Sequence, residues 1–95
     1  MGPSGTSTPA AVQDLVTDAG IVVYSAASIV ERNVTYEVAD YAPGFVLIGD
    51  DSGGRGFLVR VGDPDSQVFS SDLGDLDPAD FEIEAADVPS WIRSL

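Results

Sequence analysis

The side chains in this sequence that are equipped for chemistry are nearly all carboxylates, gathered in short clusters beside glycine and proline. Asp50-Asp51 runs into Ser52-Gly53-Gly54, Asp63 and Asp65 flank Pro64, and Asp72, Asp75, Asp77 and Asp80 crowd one short stretch. Carboxylates grouped in this way bind hard cations, act in pairs as acid and base, or hold turns. The cation pattern breaks down in detail. Asp63-Pro64-Asp65-Ser66-Gln67 opens like a calcium loop, but Val68 stands where the invariant glycine belongs and Gly74 where the closing glutamate belongs. Asp75-Leu76-Asp77-Pro78-Ala79 fails at its fifth position. Asp50 and Asp51 would gather a cation with Asp72 only if the fold brought them together. The expectation is solvated turn acids, with no metal ligand and no cofactor; a small acidic metal-binding domain is the alternative.

Missing residue types close most routes to catalysis. The chain has no His, no Cys and no Lys. Its serines therefore have no imidazole or amine to activate them, and it offers no thiol nucleophile, Schiff-base amine or usual zinc ligand. A carboxylate pair cleaving a glycosidic bond sits in a deep cleft, which 95 residues can scarcely build. Gly53-Gly54-Arg55-Gly56 has neither the spacing of a phosphate loop nor that of a dinucleotide fingerprint, and it joins two predicted strands, so it reads as a hairpin. The sequence is that of a non-enzyme.

Charge narrows the partners. Sixteen acids against four arginines (Arg32, Arg55, Arg60, Arg93) leave a net charge of −12. Nucleic acid and anionic membrane would be repelled, whereas a basic protein would be drawn in at low salt. Solubility alone is the plainer explanation of the acidity. No apolar run approaches the roughly 18 residues of a membrane span, and no basic stretch followed by an apolar one marks a signal peptide. With no cysteine, the expected location is the cytoplasm. Asn33-Val34-Thr35 matches a glycosylation sequon that such a location would leave unused.

The elements that must position these acids follow from pattern. Residues 1–9 are polar and rich in Gly, Pro and Ser, and are expected to be disordered; residues 10–95 form one domain. Thr8 and Pro9 would start a helix through Ala10, Ala11, Val12, Leu15 and Val16, ended by Gly20. Ile21 to Tyr24 reads as a strand. Ser25 would cap a helix with Ala26, Ile29 and Val30 inward, stopping at Asn33. Val34 to Tyr41 fits both a strand and a helical face, and Pro43-Gly44 breaks it. Phe45–Gly49, Gly56–Val61 and Gln67–Ser71 follow as strands joined by Asp/Gly turns, an antiparallel meander. Asp72 to Asp80 is a loop, Phe81–Ile83 an edge strand, and Asp87 to Leu95 a terminal turn that docks Trp91. Among the aromatic residues, Tyr36 and Tyr41 are the candidates for exposure, because they sit in the ambiguous segment. Together with Asp50, Asp51, Asp72, Asp75 and Asp77 they are the candidate partner-binding residues.

One stretch is also recognisable. Ile21-Val22-Val23-Tyr24-Ser25, Ile29-Val30-Glu31-Arg32-Asn33, Thr35-Tyr36-Glu37-Val38, and then Tyr41-Ala42-Pro43-Gly44-Phe45-Val46-Leu47-Ile48-Gly49-Asp50-Asp51-Ser52-Gly53-Gly54, followed by Arg55 to Val61 and Gln67 to Leu76, occur in an order that resembles the SUKH superfamily. These are bacterial immunity proteins related to the yeast cell-wall-synthesis regulators. The resemblance spans Ile21 to Trp91 and lies in the order of segments rather than in a single motif. It implies an α+β domain with a twisted, mostly antiparallel sheet flanked by a few short helices. It also implies a protein that neutralises a cognate toxin, often a nuclease, by binding it, with no shared catalytic residues. A −12 surface covering the basic site of such a toxin would be consistent with that role. A regulatory or scaffold adaptor on the same fold, without a toxin partner, is the competing reading.

Overall fold

The computed structural model describes residues 13–95. The expected disordered segment 1–9 and the helix start at Thr8 lie outside the described residues. Where that helix should end there is instead a hairpin. Leu15–Val16 (β1) pairs with Val22–Val23 (β2), with Leu15 opposite Val23 and Val16 opposite Val22. The turn between them is closed by Thr17, whose N–H donates to the Ile21 carbonyl and whose Oγ1 accepts the Ile21 N–H, and by Gly20 at φ 85°. A glycine able to adopt that angle, together with β-branched residues on both sides, favours the hairpin over the helix the spacing of Leu15 and Val16 predicts.

Ser25 caps the first helix as its residue type predicts: its Oγ accepts the Ser28 N–H at 3.2 Å. This helix, α1 (Ala26–Thr35), runs two residues beyond the expected stop at Asn33. The left-handed residue is Glu37, at φ 53°, and it separates α1 from a second short helix, α2 (Val38–Tyr41). The ambiguous segment is therefore helical. That choice buries Val38 and Ala42 completely under the sheet, which an alternating strand would not do.

From Pro43 onward the strands fall where turn chemistry places them, within a residue or two: β3 (Phe45–Asp50), β4 (Arg55–Arg60), β5 (Val68–Asp72) and β6 (Glu82–Ala85). One turn of 3₁₀-helix, Pro78–Asp80, interrupts the acidic loop, and a terminal helix α3 (Val88–Ser94) follows an Asp87 cap. The six strands form one sheet in the order β1-β2-β3-β4-β5-β6, every neighbouring pair antiparallel. The fold is α+β.

Helices lie on both faces, so the sheet has two cores. Under α1 and α2, Tyr24, Val38, Ala42, Leu47, Leu58 and Leu76 are buried together, with Ile29, Tyr36 and Phe45 packed against them. On the other face Trp91 of α3 meets Phe57 and Val68, its ring centroid 5.0 Å from that of Phe57. Burial on both faces explains why Phe45 to Ile48 is a continuous apolar run instead of an alternating one. α1 itself has no fully buried residue. It is held mainly by Ile29 and by Asn33, whose side-chain amide bonds to both backbone groups of Leu47 on β3.

Two carboxylates hold the starts of helices, Asp14 from the β1 side and Asp87 as the cap of α3 itself. Asp14 accepts the Ser25 N–H at 2.8 Å, and Asp87 accepts the Ser90 N–H at 2.8 Å. In both cases the backbone hydrogen bond to the ionised form is the largest influence, and it holds the carboxyl below its ordinary pKa of 3.8. A depressed pKa stabilises the fold above the unfolded value, and the contribution disappears as pH falls through the folded value. The Asp14→Asn variant should therefore show a smaller drop in melting temperature than the parent chain between pH 6 and pH 3. Equal drops would mean that this bond adds no pH-dependent stability.

Candidate functional site

Seven of the acids are engaged with backbone N–H groups before any partner arrives. Besides Asp14 and Asp87, Asp50 holds Ser52, Asp51 holds Gly53 and Arg55, Asp63 holds Asp65, Asp72 holds Gly74, and Asp77 holds Ala79, at 2.7–3.1 Å. The acid-rich clusters are thus architectural as well as electrostatic. Each carboxylate lets the chain turn sharply without leaving a donor unsatisfied.

The turn after β3 and the loop after β5 meet at one end of the sheet, joined by the Leu73 N–H donating to the Gly54 carbonyl at 2.7 Å. The α1–α2 junction packs alongside and brings in Tyr36. The result is an open depression of about 360 Å³ lined by Tyr36, Asp50, Ser52, Gly54, Asp72, Leu73 and Gly74. A second depression of about 200 Å³ adjoins it, sharing Tyr36, Leu73 and Gly74 and adding Tyr41, Asp75 and Leu76. Five of the residues expected from sequence therefore converge: Tyr36, Tyr41, Asp50, Asp72 and Asp75. Asp51 and Asp77 line neither depression; their carboxylates face their own turns.

The tyrosines differ. Tyr41 is 58% exposed, whereas Tyr36 is half-buried against the core and forms part of the floor. Asp50 is committed on both oxygens, one to Ser52 and the other to the hydroxyl of Tyr24. Burial, and then this bond, push the Tyr24 phenol far above its ordinary pKa, so it remains a neutral donor. Asp72 and Asp75 are exposed and provide the negative charge a partner would meet.

No arginine lines either depression. Arg55 is turned away to Glu82 (2.6 Å) and Ser70 (2.8 Å), Arg32 lies over the Tyr24 ring, and Arg60 lies over Phe45 and Phe69. The site is negative and partly apolar, with the half-buried Tyr36 shared by both depressions. No three acids among the described residues are placed to share a metal ion, and Asp50, Asp51 and Asp72 are each occupied with a turn. Such a surface is complementary to groups that are positive and partly apolar. Leu73, Ser52 and the Gly54–Leu73 contact were not identifiable from sequence as part of it; the Asp-Leu-Gly pattern at 72–74 signals the turn but not what it touches.

The chain matches no protein-family model and no curated protein.

Proposed function

We propose that this chain is a non-enzymatic protein-binding module, an immunity protein of the SUKH type that neutralises a basic toxin domain in the cytoplasm by seating it on the Tyr36–Tyr41 end of the sheet. The observation that carries the proposal is the convergence of Tyr36, Tyr41, Asp72 and Asp75 on two adjoining depressions that no arginine lines. An exposed tyrosine beside exposed carboxylates that carry no ion pair among the described residues is the composition of a hot spot for an arginine- or lysine-bearing surface. The order of segments from Ile21 to Trp91 supplies the family side of the reading. No helix among the described residues is long and apolar enough to cross a membrane.

The test is co-expression with the toxin domain encoded beside this gene. Growth should be rescued, and purified proteins should associate with an affinity that falls steeply between low and high salt. Tyr41→Ala should weaken binding by about tenfold, as loss of an aromatic anchor does. Asp72→Asn with Asp75→Asn should mainly slow association and flatten the salt dependence. Rescue without any effect of Tyr41 or of salt would remove this surface from the mechanism. No rescue and no association would leave the adaptor reading as the better one.

A further inference from the structure

A second surface shares no lining residue with the acidic end. Val30 and Val34, one turn apart on α1, are 67% and 73% exposed, and Val61, just past the end of β4, is 63% exposed. Sequence spacing places Val30 inward with Ile29, but the sheet accepts only Ile29 and Asn33 from that helix. Val30 and Val34 form one wall of a groove of about 690 Å³, completed by Ile29, Phe45, Val46 and Val61. An adjoining depression of about 520 Å³ shares Val46 and Val61 and prolongs it along Val59 to Pro64. A continuous apolar groove of this kind is unusual on the surface of a small acidic domain.

The charges at its border decide what fits. Glu37 and Asp40 line the groove, and Asp63 lines its extension. Arg60 borders the extension too, but its guanidinium lies over the rings of Phe45 and Phe69, 6.0 and 5.1 Å from their centroids. A second copy of the chain would set this acidic border against itself, and at a net charge of −12 it has few cations to offer in return. An anionic membrane is repelled for the same reason. We infer that the groove is a docking site for an amphipathic helical segment of another protein, with an apolar stripe that fills the Val30–Val34–Val61 wall and lysines or arginines that meet Glu37, Asp40 and Asp63. Peptide recognition by an elongated apolar groove takes this form, with anchors at i, i+4 and i+7. The inference does not depend on the toxin reading, because the two surfaces share none of the residues named for binding.

The probe is a synthetic peptide of about 15 residues with leucines at helical spacing and lysines on its other faces, compared with a peptide of the same composition in scrambled order. The patterned peptide should bind the whole chain and perturb the amide resonances of Val30, Val34 and Val61; the scrambled one should bind at least about tenfold more weakly. Val30→Gln with Val34→Gln exchanges exposed side chains for a good helix former, so the fold should survive, as its melting curve will show, while peptide affinity falls by about tenfold or more. Glu37→Gln with Asp40→Asn should lower affinity a few-fold and reduce its salt dependence, and Tyr41→Ala should leave it unchanged. Several results overturn the inference. They are no binding, equal binding of the scrambled peptide, and indifference to the valine substitutions. Self-association abolished by those same substitutions, or flotation with phosphatidylserine vesicles, would do so too.

Discussion

Replacing Gly49 with alanine should lower the unfolding free energy by about 3 kcal/mol, against the roughly 5–10 kcal/mol expected of a domain this size. A Cβ at this position would clash with the Val22 carbonyl oxygen and lie 3.1 Å from the edge of the Trp91 ring. The first contact is with backbone, so no rotamer change relieves it. β2 contributes only Val22 and Val23 to the ladder, paired with Asp50 and Gly49, and pushing Val22 away would detach that strand from β3. The second contact sits at the centre of the core under α3, where Trp91 packs on Phe57. The ladder shift between Leu47 and Gly49 lies at the same point, so the sheet bends where the glycine admits the ring. Gly53→Ala is the internal comparison. A Cβ there would meet nothing closer than 3.4 Å, at an Asp51 carboxylate oxygen, and the expected change is within about 0.5 kcal/mol. Urea midpoints of the two variants measure the difference directly. Equal midpoints would contradict the placement of Trp91 over β3.

The contrast between these two glycines also shows what the sequence could disclose. Both belong to the stretch that carries the family resemblance, and both read as turn or strand-end residues. The Gly53 reading is local and holds, because Asp51 and Gly53 make their turn with each other. The role of Gly49 depends on Trp91, 42 residues later, and no local pattern encodes that meeting. The same division runs through the whole fold. Strands β3 to β5 were legible because Asp/Gly turns bound them closely, and Ser25 was legible as a cap because capping is a contact between near neighbours. β1 was not legible. Two residues are too few to display a period, and although Ile21 to Tyr24 reads as a strand by itself, nothing in that pattern shows that Leu15–Val16 folds back to pair with it. Helical spacing puts Val30 inward yet the structure leaves it exposed, because spacing defines a face but not how wide a face the sheet will cover. At the candidate site, exposure of Tyr41 and the acidity of Asp72 and Asp75 could be read from the chain. Their convergence could not, since it depends on one backbone bond between Leu73 and Gly54. Nor could the internal commitment of Asp50, which rests on Tyr24, 26 residues earlier in the chain.

Asn33→Ala should cost about 2–4 kcal/mol, although the residue is only half-buried and is part of a sequon that reads as a surface feature. The reason lies in the length of β2. Its pairing with β3 stops at Gly49, and beyond it the Tyr24 N–H reaches the Ile48 carbonyl, so the backbone of Leu47 has no strand to meet on that side. Asn33 replaces the missing strand. Its Oδ1 accepts the Leu47 N–H at 2.8 Å, and its Nδ2 donates to the Leu47 carbonyl at 2.9 Å and to the Ile29 carbonyl at 2.7 Å. A primary amide presents the same donor and acceptor as a peptide group, so a single helical side chain closes the edge of the sheet. Alanine leaves a buried N–H and C=O of Leu47 without partners, each costing about 1–3 kcal/mol less whatever water recovers. Aspartate keeps the acceptor but turns a negative charge toward two carbonyl oxygens, and should be at least as damaging at neutral pH, with partial recovery on acidification as it protonates. A glycan on Nδ2 would occupy the atom that makes two of these bonds, which makes the sequon incompatible with this fold. Denaturant midpoints measure the loss, and amide exchange locates it: protection at Leu47 should fall more than at Leu58 across the ladder. Because Asn33 anchors the helix that Tyr36 caps, the binding proposed for Tyr36 and Tyr41 should weaken in the same variant even at temperatures where it remains folded. Unchanged protection at Leu47 would show that α1 is held by Ile29 alone.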